Sequence, residues 1–225
     1  MTLDLAIRLC EILLALAFIQ QSAEHLVRRD EAALFALRIA LCVLLIAGVW
    51  TPWVLLALVL LALVVLGRFQ GPYNGGSDRM GLLALVCLCA IHFMPTLRWQ
   101  EYVAGYLAAQ IVLSYFLSGW VKIVNPAWRN GAALRDVFAW SAYPVSEDLR
   151  AWADRPRVLT AMSWAVVLFE LVFPLALVSQ PTLIAALALA ALFHLANACL
   201  FGLNRFFWTW IAVYPILFWL QARLF

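Results

Sequence analysis

Seven ionisable side chains stand inside long apolar runs of this sequence: Arg8, Glu11, Arg38, His92, Lys122, Glu170 and His194. A charged group costs free energy in hydrocarbon, so each is a candidate functional residue. Lys122 sits in Ser118-Gly119-Trp120-Val121-Lys122-Ile123-Val124, an apolar setting that suits a lysine acting as a general base. His194 and Asn197 are three apart and share one side of a helix. They are suited to holding a substrate oxygen or a developing anion. Glu170 is expected deepest, about 18 Å from the membrane face that carries Lys122. The four form a candidate ladder running inward: Lys122, Asn197, His194, Glu170. Plainer roles stand beside these. Lys122 could snorkel at a helix end, Glu170 could pair with His194 or Arg38, and Asn197 could join two helices. Arg8 and Glu11 are expected to pair, and His92 to sit at an interface.

The elements that position these residues follow from composition. The chain has 225 residues, 67% hydrophobic and 12% charged, with a net charge of +3. Its mean hydropathy is +0.96. Soluble domains run at about 45–50% apolar and about 25% charged. A soluble globular enzyme and a disordered tail are therefore excluded. With no basic stripe to follow a phosphate backbone, no nucleic-acid partner is expected. The expected fold is all-α: a single-domain (1–225) polytopic bundle of about eight membrane helices with one long interfacial loop. A span needs about 20 mostly apolar residues. The apolar runs are 5–27, 32–49, 53–68, 80–96, 101–123, 158–178, 182–202 and 206–222.

Two connections draw notice. Residues 69–79 are rich in Gly, Asn and Ser, and residues 124–157 are too long for a plain link. The second is expected to hold a short interfacial helix near Ala132–Trp140, with Leu134, Val137 and Phe138 facing the membrane. In an eight-span chain the connections after odd spans collect most of the arginines, which puts that face in the cytoplasm. Cys10, Cys42, Cys87, Cys89 and Cys199 lie in apolar runs without zinc spacing and are expected to be buried small hydrophobes. No metal site and no removable signal peptide are expected.

The motifs carry a resemblance. Tyr115-Phe116-Leu117-Ser118-Gly119-Trp120-Val121-Lys122 is followed by Asn125-Pro126-Ala127-Trp128-Arg129-Asn130-Gly131. Phe193-His194-Leu195-Ala196-Asn197 continues into Leu200-Phe201-Gly202. Asn74-Gly75-Gly76-Ser77-Asp78 precedes Gly81-Leu82-Leu83. Together these resemble the membrane part of vitamin K-dependent gamma-carboxylase and the bacterial HTTM-like proteins. The third motif departs from the carboxylase, which has a histidine where this chain has Gly76. The resemblance covers the membrane part alone, without the carboxylase's lumenal domain.

The resemblance implies a lysine base, mapped onto Lys122, that deprotonates a hydroquinone for oxygen-driven epoxidation, with His194 as its catalytic partner. The implied cofactor is a quinone or hydroquinone of the menaquinone or vitamin K type. Asn197, Trp120, Trp128, Phe201, Asn74, Ser77, Asp78 and Glu170 would surround it. The implied setting is the bacterial inner membrane. Two readings follow. One is a quinol-dependent oxygenase-like or carboxylase-like enzyme. The other is a non-catalytic membrane factor for maturation or export of a secreted peptide or protein partner.

Overall fold

The computed structural model describes residues 1–27, 31–68, 76–141 and 146–225. Among them every regular element is a helix. In chain order these are α1 (Leu3–Val27), α2 (Ala32–Ala47), α3 (Thr51–Arg68), α4 (Ser77–Phe93) and α5 (Leu97–Val124). They continue as α6 (Pro126–Arg129), α7 (Ala132–Trp140), α8 (Pro156–Val172), α9 (Gln180–Phe201) and α10 (Asn204–Leu224). A 3-10 segment, Glu147–Asp154, follows α7, and a second, Phe173–Val178, extends α8.

Helices occupy all eight predicted segments, but four, not eight, of the described ones are long and apolar enough to cross a membrane. These are Gly76–Phe93, Leu97–Val124, Pro156–Val178 and Gln180–Phe201. Ala32–Ala47 and Thr51–Gly67 are apolar but shorter. α1 carries Asp4, Arg8, Glu11 and Glu24, and α10 carries three Trp with Asn204, Arg205, Gln221 and Arg223, which lowers the hydropathy of both.

The chain divides into two compact units, Met1–Ala108 with Arg205–Leu224, and Ala109–Asn204 with Phe225. In the first, Glu11 is 2% exposed and anchors a polar knot. Arg8 donates to Glu11 at 2.9 Å and to the Leu45 and Ile46 carbonyls, so it closes the C-terminal end of α2. His92 Nε2 lies 2.6 Å from the other Glu11 oxygen. The Arg8–Glu11 pair is as expected, and His92, near the end of α4, shares the Glu11 carboxyl with Arg8.

In the second unit, sequence chemistry sets the helix ends. Ser179 and Thr182 form a capping box, with Pro181 in the first turn of α9. Pro174 lacks an N–H for the carbonyl of Glu170, four residues earlier, and the helix tightens into the 3-10 segment there.

The described parts of the long connection, 125–141 and 146–155, fold as a cap on α8. The helix Ala132–Trp140 forms as predicted, but two of the three residues expected to face the membrane, Leu134 and Phe138, are buried in protein. Leu134 and Phe138 are buried with Leu159 of α8, and Trp152, Met162 and Phe201 pack around them. The amphipathic face finds protein because α8, α9 and the 3-10 segment already supply an apolar floor. Val137, 39% exposed, points outward. Arg150 fixes the 3-10 segment by donating to the carbonyls of Ala139 and Ser141 and to Glu147. That hydrogen bond holds the Glu147 carboxyl below the usual carboxylate range. Four cysteines are buried as expected, but Cys199 is exposed, because its position on α9 faces away from the unit's interior.

Candidate functional site

α5 places Tyr115, Ser118 and Lys122 at i, i+3 and i+7, along one helical face. That face meets α8 at Glu170 and α9 at His194. Lys122 Nζ donates to both Glu170 oxygens, at 2.7 and 2.5 Å, and to Ser118 Oγ at 2.6 Å. Ser118 Oγ donates to Glu170 Oε1 at 3.1 Å. All three ammonium hydrogens are thereby used. The side chains are 15% and 4% exposed, so the pair is shielded but reachable from the lysine side.

Gly119 makes this approach geometrically feasible. A Cβ there would stand 2.8 Å from the Leu171 backbone nitrogen and 3.0 Å from Glu170 Cβ. Only a residue without a side chain lets α5 and α8 come this close, as small residues do at membrane helix contacts. The Ser-Gly-x-x-Lys spacing thus has a physical meaning: Ser118 braces, Gly119 admits α8, and Lys122 reaches Glu170.

The residues after Lys122 are held just as firmly. Asn125 caps α6 by accepting from the Ala127 N–H at 2.9 Å. Three side chains of α8 then donate to three consecutive carbonyls. Ser163 bonds Trp128, Trp164 bonds Arg129 at 3.0 Å, and Thr160 bonds Asn130 at 3.0 Å. Gly131, at φ 79°, turns the chain against Thr160, where a Cβ would lie 2.7 Å from the hydroxyl oxygen. This clamp sets the Trp128 ring 5.2 Å from Lys122 Nζ, within cation–π range.

The second polar pair is Tyr115 Oη and His194 Nε2, 2.7 Å apart and buried. Tyr115 stacks on Phe173 at 3.9 Å and meets Phe169 edge-on at 5.8 Å. Two pairs therefore replace the expected ladder. Glu170 binds Lys122, not His194 or Arg38, and His194 binds Tyr115. Asn197 is outside both, with its amide donating to Phe193 O on its own helix at 3.1 Å. At this depth a polar side chain must find a partner, and α5 offers one at each level.

The other predicted residues are dispersed. Trp120 is 54% exposed and stacks near Phe116 on the outer side of α5. Phe201 packs edge-on against Phe138 at 5.0 Å, under the cap. Ser77 and Asp78 open α4 in the first unit and line a cleft there. Asn74 lies outside the described residues. Sequence reasoning did not single out Ser118 and Tyr115 as site residues. Their positions four and seven residues before Lys122 on an apolar helix were the available signal. No cluster that could hold a metal occurs among the described residues.

A family model for the HTTM domain matches residues 96–221, more than half of the chain. The chain belongs to the HTTM-domain family. This is the domain of vitamin K-dependent gamma-carboxylase-like membrane proteins. The HTTM match begins at the start of α5 and runs into α10, so it includes both polar pairs and the clamp. Neither a curated protein nor a solved structure matches the chain. With its apolar helices, this HTTM protein is an integral membrane protein of the carboxylase-like family.

Proposed function

We propose that the chain uses the Lys122–Glu170 pair as an acid–base site for a quinone-like lipid in the membrane. The observation that carries this reading is a shielded ion pair between two membrane-length helices, with its lysine end open beside an aromatic ring. Purely structural pairing is a weak reason to keep such a pair, since apolar residues of similar volume are often as stable or more so.

Lys122 can act as a base only once its amine has given up a proton. Glu170 Oε1 and Oε2, 2.7 and 2.5 Å away, are the acceptors in place. Transfer leaves a neutral amine and a neutral carboxylic acid, a pair that gains on two ions when a docked substrate excludes water from the lysine side. The amine then turns its lone pair from Glu170 to the lysine side of the site and takes a proton from a hydroxyl presented there, while Ser118 holds one amine hydrogen. The half-buried Trp128 ring offers a planar face against which an aromatic headgroup fits. A bound hydroquinone would supply the acidic hydroxyl and the reducing electrons for oxygen. Tyr115 and His194 hold the next turn of α5 in register.

The finer topology belongs to the same proposal. α1, α2, α3 and α10 also cross, giving eight spans in the inner membrane of a bacterium. A second reading is favoured by the cap. It is folded and clamped, and it exposes Trp140 (81%) and Val137. Such a surface suits a docking role in maturation or export of a secreted peptide.

The test is quinone binding and quinol consumption under oxygen, with the purified chain in nanodiscs. Wild type is compared with Lys122→Ala and His194→Ala. Saturable binding with turnover lost in Lys122→Ala supports the acid–base site. Binding and turnover indifferent to Lys122 would remove it and leave the docking role.

A further inference from the structure

The first unit holds a cleft, with room of about 70 Å³, that the Lys122 site does not use. Its wall is built where α1 and α3 end and where α4 and α10 begin, so it lies at one end of that unit's helices. Arg38 of α2 lines it and is 7% exposed. Its guanidinium lies 4.0 Å over the Phe18 ring, and no hydrogen-bond partner meets it among the described residues. A guanidinium presents five N–H donors in a fixed fork, so burial without an acceptor leaves strong binding capacity facing the cleft.

A second cation stands on the same wall. Arg205 donates to His25 Nε2 at 2.7 Å and lies 3.6 Å from Glu24. His25 stacks on Phe35 at 4.2 Å, which fixes its ring. Asp78 also lines the cleft, and its charge and that of Arg205 both act on Arg38. The rest of the lining is largely apolar, including Val65, Leu66 and Leu82. A forked cation at the end of apolar helices fits an amphiphile with an anionic head. Basic pockets between membrane helices bind phosphate headgroups in this way.

We infer that this cleft binds the phosphate headgroup of an anionic phospholipid. Arg38 and Arg205 grip the phosphate oxygens, and the first part of an acyl chain runs along Val65 and Leu66. Asp78 accepts from a headgroup hydroxyl.

Native mass spectrometry of the full chain, with phosphatidylglycerol, phosphatidylcholine or inorganic phosphate added, tests this. Preferential retention of phosphatidylglycerol is expected, with binding about tenfold weaker in Arg38→Gln and Arg205→Gln. Arg38 is buried, so its variant is scored only if its unfolding midpoint in phosphatidylcholine matches wild type. Arg205 is partly exposed and gives an independent reading. Equal retention of the two lipids, or wild-type binding by Arg205→Gln, overturns the proposal. Saturable binding of inorganic phosphate without lipid preference assigns the cleft to a soluble anion and overturns the lipid.

Discussion

Gly119→Ala adds one methyl group and should loosen the site. The new Cβ would lie 2.8 Å from Leu171 N and 3.0 Å from both Glu170 Cβ and Leu171 Cγ. Ordinary carbon contacts need about 3.5–4.0 Å. Two of these neighbours are backbone or next to it, so they cannot swing aside. α5 and α8 must then separate by roughly 0.5–1 Å. The Lys122–Glu170 contacts, 2.5 and 2.7 Å, would lengthen to roughly 3.0–3.7 Å and weaken. Overpacking of this kind costs about 1–3 kcal/mol, against a helix-propensity gain of up to about 1 kcal/mol. Gly105→Ala is the matched control on the same helix, since nothing lies within 4 Å of a Cβ there. Thermal unfolding in detergent should show Gly119→Ala destabilised and Gly105→Ala unchanged or slightly stabilised. Equal behaviour of the two variants would refute the close-approach argument.

Three more outcomes are expected. Lys122→Met and Glu170→Leu should each cost about 3–5 kcal/mol by leaving a buried charge unpaired, and the double variant should recover most of it. Additive losses in that cycle would show that the two residues do not act together. Ser163→Ala should free the Trp128 carbonyl and cost about 1–2 kcal/mol, with faster protease cleavage in the 125–154 cap. An unchanged cleavage rate would mean the clamp contributes little. The Glu147 carboxyl is held below its usual value of 4.5 by the Arg150 hydrogen bond. Its contribution is therefore present above that value and lost as pH falls through the lowered one. Cleavage near Glu147–Asp154 should stay constant from neutral pH to 5 and rise only below the usual carboxylate range.

Much of this was legible in the sequence because membrane helices are written in composition. The cap helix was readable from the length of its connection and its apolar stripe, and the turn at Ser179-Gln180-Pro181 from its serine and proline. Lys122 and Glu170 stood out because ionisable groups are rare in apolar runs. Their pairing was not readable, since Glu170 had several cations and a histidine within plausible reach. Helical depth alone does not give rotation about the helix axis, and rotation decided that His194 meets Tyr115 while Asn197 turns to its own backbone. The face of the cap helix was misassigned for a related reason. An amphipathic stripe says that something apolar must cover it, and here Leu159, Trp152 and Phe201 do so before lipid can.

The central claim is that a proton moves between Lys122 and Glu170 when substrate arrives. Infrared difference spectroscopy of the Glu170 carboxyl in nanodiscs, with Glu170→Gln as the band assignment, tests it most directly. The account predicts a carboxylate without ligand and a carboxylic acid band once a naphthoquinol is added. A carboxylate unchanged at saturating quinol would contradict it and leave Lys122–Glu170 as a structural tie.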